Sequence, residues 1–337
     1  MTLGSDRGQP TRFAATVPFA KVPLSAHGPV LAALEMAGYT DFWTQEVRGF
    51  DALTPLAALA SQAPRARLGA AIAGVYTRGP ALLAMQAAAV AEVALGRFAL
   101  GLGTSSERIV EGWNGARFER PVERVRDTLR FLRSALAGER VDAVYDTFAV
   151  RGFSLERPPA EPPALWIAAL RPRMLALAGA EADGVCLGLL SADDVRRVLP
   201  AFEAAGGHGK EVFLRVAVFA LADPMRARRM ARKLIAPYLA AGPYTRFHAT
   251  LGRGAEVARL AAALHAGERE AALAAIPNAW LDGLVTHGTP EACRAQLARF
   301  VEAGVTTLGI DVVASDESWL ETQRRVFPLP SLRSGKP

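Results

Sequence analysis

Short apolar runs alternate along the chain with longer stretches in which apolar residues recur every three or four positions. The runs read as strands buried on both faces and the longer stretches as helices with one buried stripe. Their regular succession predicts parallel strand-helix units. Eight strands are expected: RFAATVP (12–18), TDFWTQ (40–45), ARLGAAIA (66–73), RFALGLG (97–103), ALWIAAL (164–170), DGVCLGL (183–189), EVFLRVAVFAL (211–221) and TTLGIDVV (306–313). Helical patterns follow them, among them PALLAMQAAAVAEVA (80–94), PVERVRDTLRFLRSAL (121–136), ADDVRRVLPAFEAAG (192–206) and SWLETQRRVF (318–327). Eight such units in one chain predict an α/β fold of the closed (β/α)8 TIM-barrel class, because open doubly wound sheets carry fewer.

Two breaks in the pattern mark excursions. Around 141–163 a short alternating piece runs into the Pro-rich ERPPAEPP, which reads as a small hairpin outside the barrel. From about 223 to 282 several helical patterns follow one another with no strand between them. Beyond that insertion, HGTPEACRAQLARFVEAG reads as a capped helix, with Thr289 as N-cap, Pro290 at the first helical position and Gly304 ending it. The whole of 1–337 is therefore expected to be one barrel domain with insertions.

Composition narrows the function classes. The 337 residues are 51% hydrophobic, yet no run of about 18 apolar residues lacks charges or breakers. The opening MTLGSDRGQPTR is polar, so a cytoplasmic chain without a membrane span is expected. Cys186 and Cys293 stand alone, which predicts neither a disulfide framework nor a metal site. The net charge of +6 is spread over helix faces such as MRARRMARK and EACRAQLAR, without a clustered stripe or interleaved aromatics. Soluble anionic small molecules fit this charge better than nucleic acid.

A barrel of this kind binds ligands at the C-terminal ends of its strands. The residues there include Thr16 and Pro18; Thr44, Gln45 and Glu46; Ala71 to Gly74 with Arg78; Gly103 to Glu107; Ala169, Leu170 and Arg171; and Gly188 and Leu189. That ring lacks histidine, cysteine and paired carboxylates, which argues against a Ser/His/Asp triad and against metal hydrolysis. A mouth of small residues suits a bulky planar cofactor that brings its own reactivity. GLGTSS lacks the third glycine of a dinucleotide-binding turn, which disfavours a Rossmann enzyme.

The segments LEMAGYTDFWTQE, RLGAAIAGVYTRGPALLAMQAAAVAEVALGRFALGLGTSS, EGWNGARFERPVERVRDTLRFLR and WIAALRPRMLALAGAEADGV, in that order, resemble the luciferase-like monooxygenase superfamily. More narrowly they are similar to its branch that uses the deazaflavin coenzyme F420; FMN is the alternative cofactor. The resemblance implies a tricyclic ring against the third strand, with a non-prolyl cis peptide at Ala71–Ile72. It implies ring contacts from Thr16, Gln45, Ala71, Ile72, Gly74, Thr104 and Ser105, and a phosphate site near Ala169, Leu170, Arg171, Gly188 and Leu189. Gly101 and Gly103 would let the backbone approach the ring, and a homodimer is the family habit. Tyr244, Arg246, Phe247 and His248 would border the substrate pocket or pack as helix residues.

Two departures bear on chemistry. Where sugar-phosphate dehydrogenase relatives carry an Asp-His pair after strand two, this chain has Gln45 and Glu46. Glu46 is a candidate catalytic carboxylate, raised in pKa beside Trp43, or else an ordinary partner of Arg48 or Arg78. Where those relatives carry a glutamate after the fourth-strand threonine, Thr104 is followed by Ser105 and Ser106, with Glu107 one step on. A serine cannot replace a carboxylate in proton transfer near pH 7, so reduction of an activated C=C or C=N bond is favoured over alcohol oxidation. An FMN-dependent monooxygenase and a flavin-binding protein without turnover are the other two readings.

Overall fold

The computed structural model describes residues 11–20 and 22–326. The N-terminal ten residues of the polar opening stretch, and Phe327 at the end of the last expected helix, lie outside them. Eight parallel strands close a barrel: β1 (Arg12–Thr16), β2 (Asp41–Thr44), β3 (Arg67–Gly74), β4 (Phe98–Gly103), β7 (Ala164–Ala168), β8 (Gly184–Gly188), β9 (Glu211–Ala220) and β11 (Thr307–Ser315), which pairs with β1. The fold is a TIM barrel with its helices outside. Each apolar run forms a strand because both its faces are buried, as the uniformly buried FALGLG of β4 shows.

The expected excursion is the antiparallel hairpin β5 (Val141–Val144) and β6 (Ala149–Phe153). The helices preceding it are α1 (Gly28–Ala37), α2 (Thr54–Leu59), α3 (Pro80–Ala94), the short α4 (Glu107–Val110) and α5 (Pro121–Leu136). Buried Asp127 of α5 accepts from the backbone N–H and the hydroxyl of Thr147, both at 2.9 Å, and so ties the hairpin turn to the barrel's helix layer. After β7 and β8 come α6 (Pro172–Glu181) and α7 (Ala192–Phe202). The insertion holds α8 (Pro224–Leu239), α9 (Gly242–His248), α10 (Gly254–His265), α11 (Arg269–Ala274) and α12 (Asn278–Leu284), with its own apolar cluster around Phe219, Ile235, Leu239 and Leu281. It ends in β10 (Val285–His287), a short strand added beside β9 that periodicity does not reveal. Then α13 (Pro290–Glu302) starts at Thr289, whose hydroxyl accepts from Ala292 N–H, and α14 (Trp319–Arg325) closes the described chain.

The barrel interior is built in layers. At the floor, Arg67 reaches Asp41 at 2.5 Å and Glu211 through two bonds at 2.6 and 2.9 Å, while Arg12 holds the other oxygen of Asp41 at 2.8 Å. Above it lie Trp43, Trp166 and Phe213 with the small Ala14, Ala99 and Cys186. Each indole is matched to a glycine on the next strand, because two large rings and ordinary side chains do not fit in one layer. Trp43 pairs in register with Gly69, and Trp166 with Gly184. A Cβ on Gly69 would stand 2.3 Å from the Trp43 ring, and one on Gly184 2.8 Å from the Trp166 ring.

This complementarity gives a direct test. Gly69→Ala is expected to destabilise the fold by about 1–3 kcal/mol through overpacking. Trp43→Leu in the same chain should recover part of that loss. Denaturant unfolding of the two single variants and the double variant reads the coupling; strict additivity would contradict the packing account.

Candidate functional site

The mouth lies where the strands end. Thr16 closes β1 and is followed by a cis Val17–Pro18 bond. On β3 the Ala71–Ile72 peptide is cis, at the position the family resemblance implied. The register between β3 and β4 shifts between Ala70 and Ala73 at the same point. The Ile72 side chain turns toward β4: a Cβ on Gly103 would lie 2.6 Å from it, and one on Gly101 would meet the Ala70 carbonyl at 2.4 Å. These two glycines thus make room for the third strand.

Glu46 is placed as a clamp. Its carboxylate accepts from both guanidinium nitrogens of Arg78, from Thr77 Oγ1 and Gly74 N–H at 3.3 Å each, and from Ala52 N–H at 3.0 Å. Five donors occupy it, and they join the ends of β2 and β3 to the loop after β3. Trp43, the neighbour expected to bury it, faces the barrel axis one layer down against Trp166 and Phe213. Of the two readings of Glu46, this geometry favours the pairing with Arg78. Gly74 lends its N–H to the same clamp, and a Cβ there would press on Thr77 Oγ1 at 2.9 Å.

Beyond β4, Thr104 donates weakly to the Ser105 carbonyl at 3.3 Å, and Ser105 adopts a left-handed backbone with φ 58°. Leu189, after β8, does the same with φ 55°. Non-glycine residues adopt this conformation rarely, and they concentrate at ligand sites. Ala169 is buried and bonds through its N–H to the Cys186 carbonyl at 3.1 Å; Leu170 is partly buried beside it. Arg171 is the residue preceding α6, whose first-turn N–H groups from Met174 and Leu175 turn back to its carbonyl. Pro172 at the first helical position fits the helix start that the sequence predicts.

The insertion supplies the far wall. The Tyr244 hydroxyl sits over Gly188, where a Cβ would come within 3.1 Å of it, and burial pushes the phenol's pKa up. Arg246 bonds Glu107 at 2.8 Å, tying α9 to the start of α4 after β4. Burial pushes the Glu107 carboxyl up, but the Arg246 bond and the nearby Arg246 and Arg171 charges outweigh it and hold the pKa below the usual carboxylate range. Behind Leu189, Ser191 and Asp194 form a reciprocal capping box at the start of α7. Arg253 of the insertion holds both Asp194 oxygens at 2.9 and 2.8 Å and meets His248 Nδ1 at 2.9 Å. His248 is buried, and desolvation together with the Arg253 cation pushes its pKa down to about 4.

Two groups were missed by sequence reading. Arg215 faces the mouth from β9, two residues above Phe213, and donates to the Gln45 side chain. Asp311 stands on β11 two residues above Gly309, which packs on Phe213, and its cross-strand partner is Ala217. The signal was present: each is a single charged residue inside an apolar strand run, on the inward-facing parity. Among the described residues no group of three His, Cys, Asp or Glu side chains is arranged to hold a metal ion, and no helix is long and apolar enough to cross a membrane.

Residues 8–307 match the family model of the luciferase-like monooxygenases. The chain belongs to that family. As a luciferase-like protein it is 39% identical over 117 residues to a Mycobacterium tuberculosis protein whose name places it among coenzyme F420-dependent oxidoreductases; the match covers 35% of this chain and 34% of the relative's length. It is 27% identical over 300 residues to a 5,10-methylenetetrahydromethanopterin reductase of Methanolobus tindarius, covering 87% of this chain and 91% of the relative. The fold also matches the coenzyme F420 dependent tetrahydromethanopterin reductase from Methanopyrus kandleri at a TM-score of 0.76 and 16% identity, over 94% of this chain and 97% of that one. This luciferase-like barrel thus carries the family's fold over nearly its whole described length.

Two outcomes follow from the site. Glu46→Gln is expected to cost about 1–3 kcal/mol of stability by uncoupling the clamp from Arg78, with a kcat loss below roughly tenfold. A kcat loss of about 100-fold or more at unchanged stability would restore the proton-relay reading. Burial keeps His248 neutral in the folded state, so its contribution is complete above pH 6.5 and is lost as pH falls toward about 4. Denaturant unfolding across that window should show the wild type losing up to about 3 kcal/mol more than His248→Asn.

Proposed function

We propose that this protein is a coenzyme F420-dependent oxidoreductase that passes a hydride between the deazaflavin and a small organic substrate. In this reading it is more a reductase of an activated C=C or C=N bond than an alcohol dehydrogenase. The observation that carries the reading is the mouth itself, where the strand ends bring together Ala71, Ile72, Ala168 and Gly188 in place of large polar side chains. The names of the relatives support the cofactor and the reducing direction.

The residues present fit the cofactor. Thr16, Gln45, Ala71, Ile72, Gly74, Thr104 and Ser105 would border its ring, and Ser105 holds the rare left-handed backbone at the end of β4. Leu170, Arg171, Gly188 and Leu189, with the start of α6, would hold its phosphate, since helix N-termini and guanidinium groups favour anions. When bound, the cofactor supplies the hydride chemistry. The chain's own part is to orient the substrate, exclude water with the insertion wall and handle the accompanying proton.

Titration of the purified protein with F420 and, separately, with FMN tests this directly. Fluorescence quenching of F420 with micromolar affinity is expected, followed by oxidation of reduced F420 with a panel of imines and enones. Tight FMN binding with oxygen-dependent turnover would overturn the cofactor assignment. Binding without turnover across the panel would favour a carrier.

A further inference from the structure

Of the three carboxylates that border the mouth, two are engaged. Glu46 is held by Arg78 and three further donors, and Glu107 is bonded to Arg246. Asp311 differs: among the described residues its side chain has no hydrogen bond and no ion pair within 4.0 Å. Its orientation follows from β11. Leu308, Ile310 and Val312 pack outward into the main core, whereas Thr307 bonds Glu211 on the barrel floor and Gly309 lies on the Phe213 ring. Strand alternation therefore sends Asp311 inward, one layer above that ring, at the level of the mouth.

We propose that Asp311 is the catalytic acid-base group of this site, and that Arg215, fixed through Gln45, positions it and the substrate atom it serves. The proposal rests on the oxidoreductase reading above. Arg215 stands on the adjacent strand, in register with Gly309, so it lies diagonally below Asp311. It forms no salt bridge with a carboxylate among the described residues; its side-chain hydrogen-bond partner is the neutral Gln45. A cation without a salt bridge and a carboxyl without a donor, diagonal neighbours in a half-buried mouth, keep bonding capacity that the fold itself does not use. Such pairs mark sites where a ligand completes the bonding.

The balance is simple in the reducing direction. The substrate C=X bond loses its π pair as a C–H bond forms with the hydride delivered by the reduced deazaflavin. The proton of Asp311 goes to X as an X–H bond forms, the cofactor leaves oxidised, and Asp311 is reprotonated from water. Burial pushes the Asp311 carboxyl up, and the Arg215 charge pulls it part of the way back. Arg215 is the charged group facing it from β9; β1 presents uncharged Thr16; and Tyr244 of α9, which feels the same Arg215 charge, is held neutral by burial. Protonated Asp311 is thus retained above the usual carboxylate range, and the reducing rate should fall as pH rises through that raised value.

The first test needs no cofactor. Infrared titration of the ligand-free protein is expected to show one carboxyl C=O band that survives above the ordinary carboxylate range and is missing in Asp311→Asn. Absence of that band in the wild type would overturn the proposal. Asp311→Asn should bind F420 within about threefold of wild type while losing roughly 100-fold or more in kcat, and its melting temperature at neutral pH should be unchanged or higher, because a group whose ionisation burial disfavours has been removed. Wild-type turnover by Asp311→Asn would also sink it. Arg215→Gln gives an independent readout: with the cation gone, the carboxyl band and the pH limb of kcat should both move to higher pH, a shift that a purely structural arginine would not produce. If neither protein binds F420, the cofactor reading fails, and the infrared band still decides for or against Asp311.

Discussion

A single guanidinium closes the floor of the barrel. Arg67 joins β3 to Asp41 of β2, Glu211 of β9 and Thr307 of β11, and its charge lies under both indole rings, 5.7 Å from Trp43 and 5.3 Å from Trp166. A buried charge is tolerable only when fully paired, and here one residue pairs with both floor carboxylates. Burial pushes the Glu211 carboxyl up, and the Arg67 bond and charge more than reverse it. Because the floor and the aromatic layer hold the strands in register, the top of the barrel needs no bulky side chains for closure. The small residues of the mouth are the result.

Much of this was legible in the sequence. All eight barrel strands stand where the apolar runs placed them, with ends that differ by at most two residues; β3 runs on to Gly74 and β11 to Ser315. The hairpin, the insertion and the Thr289 cap also follow from local signals of proline, missing strands and capping chemistry. The short α4 and three-residue β10 escaped because neither is long enough to show a period. Glu46 illustrates a different limit. Sequence offers it two arginines and a catalytic role, and only the loop geometry that brings Arg78, Thr77 and Gly74 together separates them. Arg215 and Asp311 were readable as charges inside apolar runs, but their meaning depends on which strands are neighbours in the closed barrel.

Electrostatics divides the mouth in two. On one side Glu46 and Glu107 are neutralised by arginines and serve as ties between loops. On the other, β9 and β11 bring a cation and a carboxyl inward without joining them. The first arrangement fixes the rim, and the second leaves unmet bonding capacity where a substrate is expected. Between the two sides, the left-handed residues Ser105 and Leu189 turn the backbone at the ends of β4 and β8.

The insertion touches this mouth chiefly through Tyr244 over Gly188 and Arg246 on Glu107; Phe247 joins the main barrel core, and most other buried apolar residues of the insertion pack in a second cluster with the ends of β9 and β10. The barrel half of the cleft is backbone and small side chains anchored from below. Recognition and reactivity are therefore carried by separable parts of the chain. Changes of surface and length within the helices from α8 to α12 can redraw which molecules enter, while the cradle beneath keeps its shape.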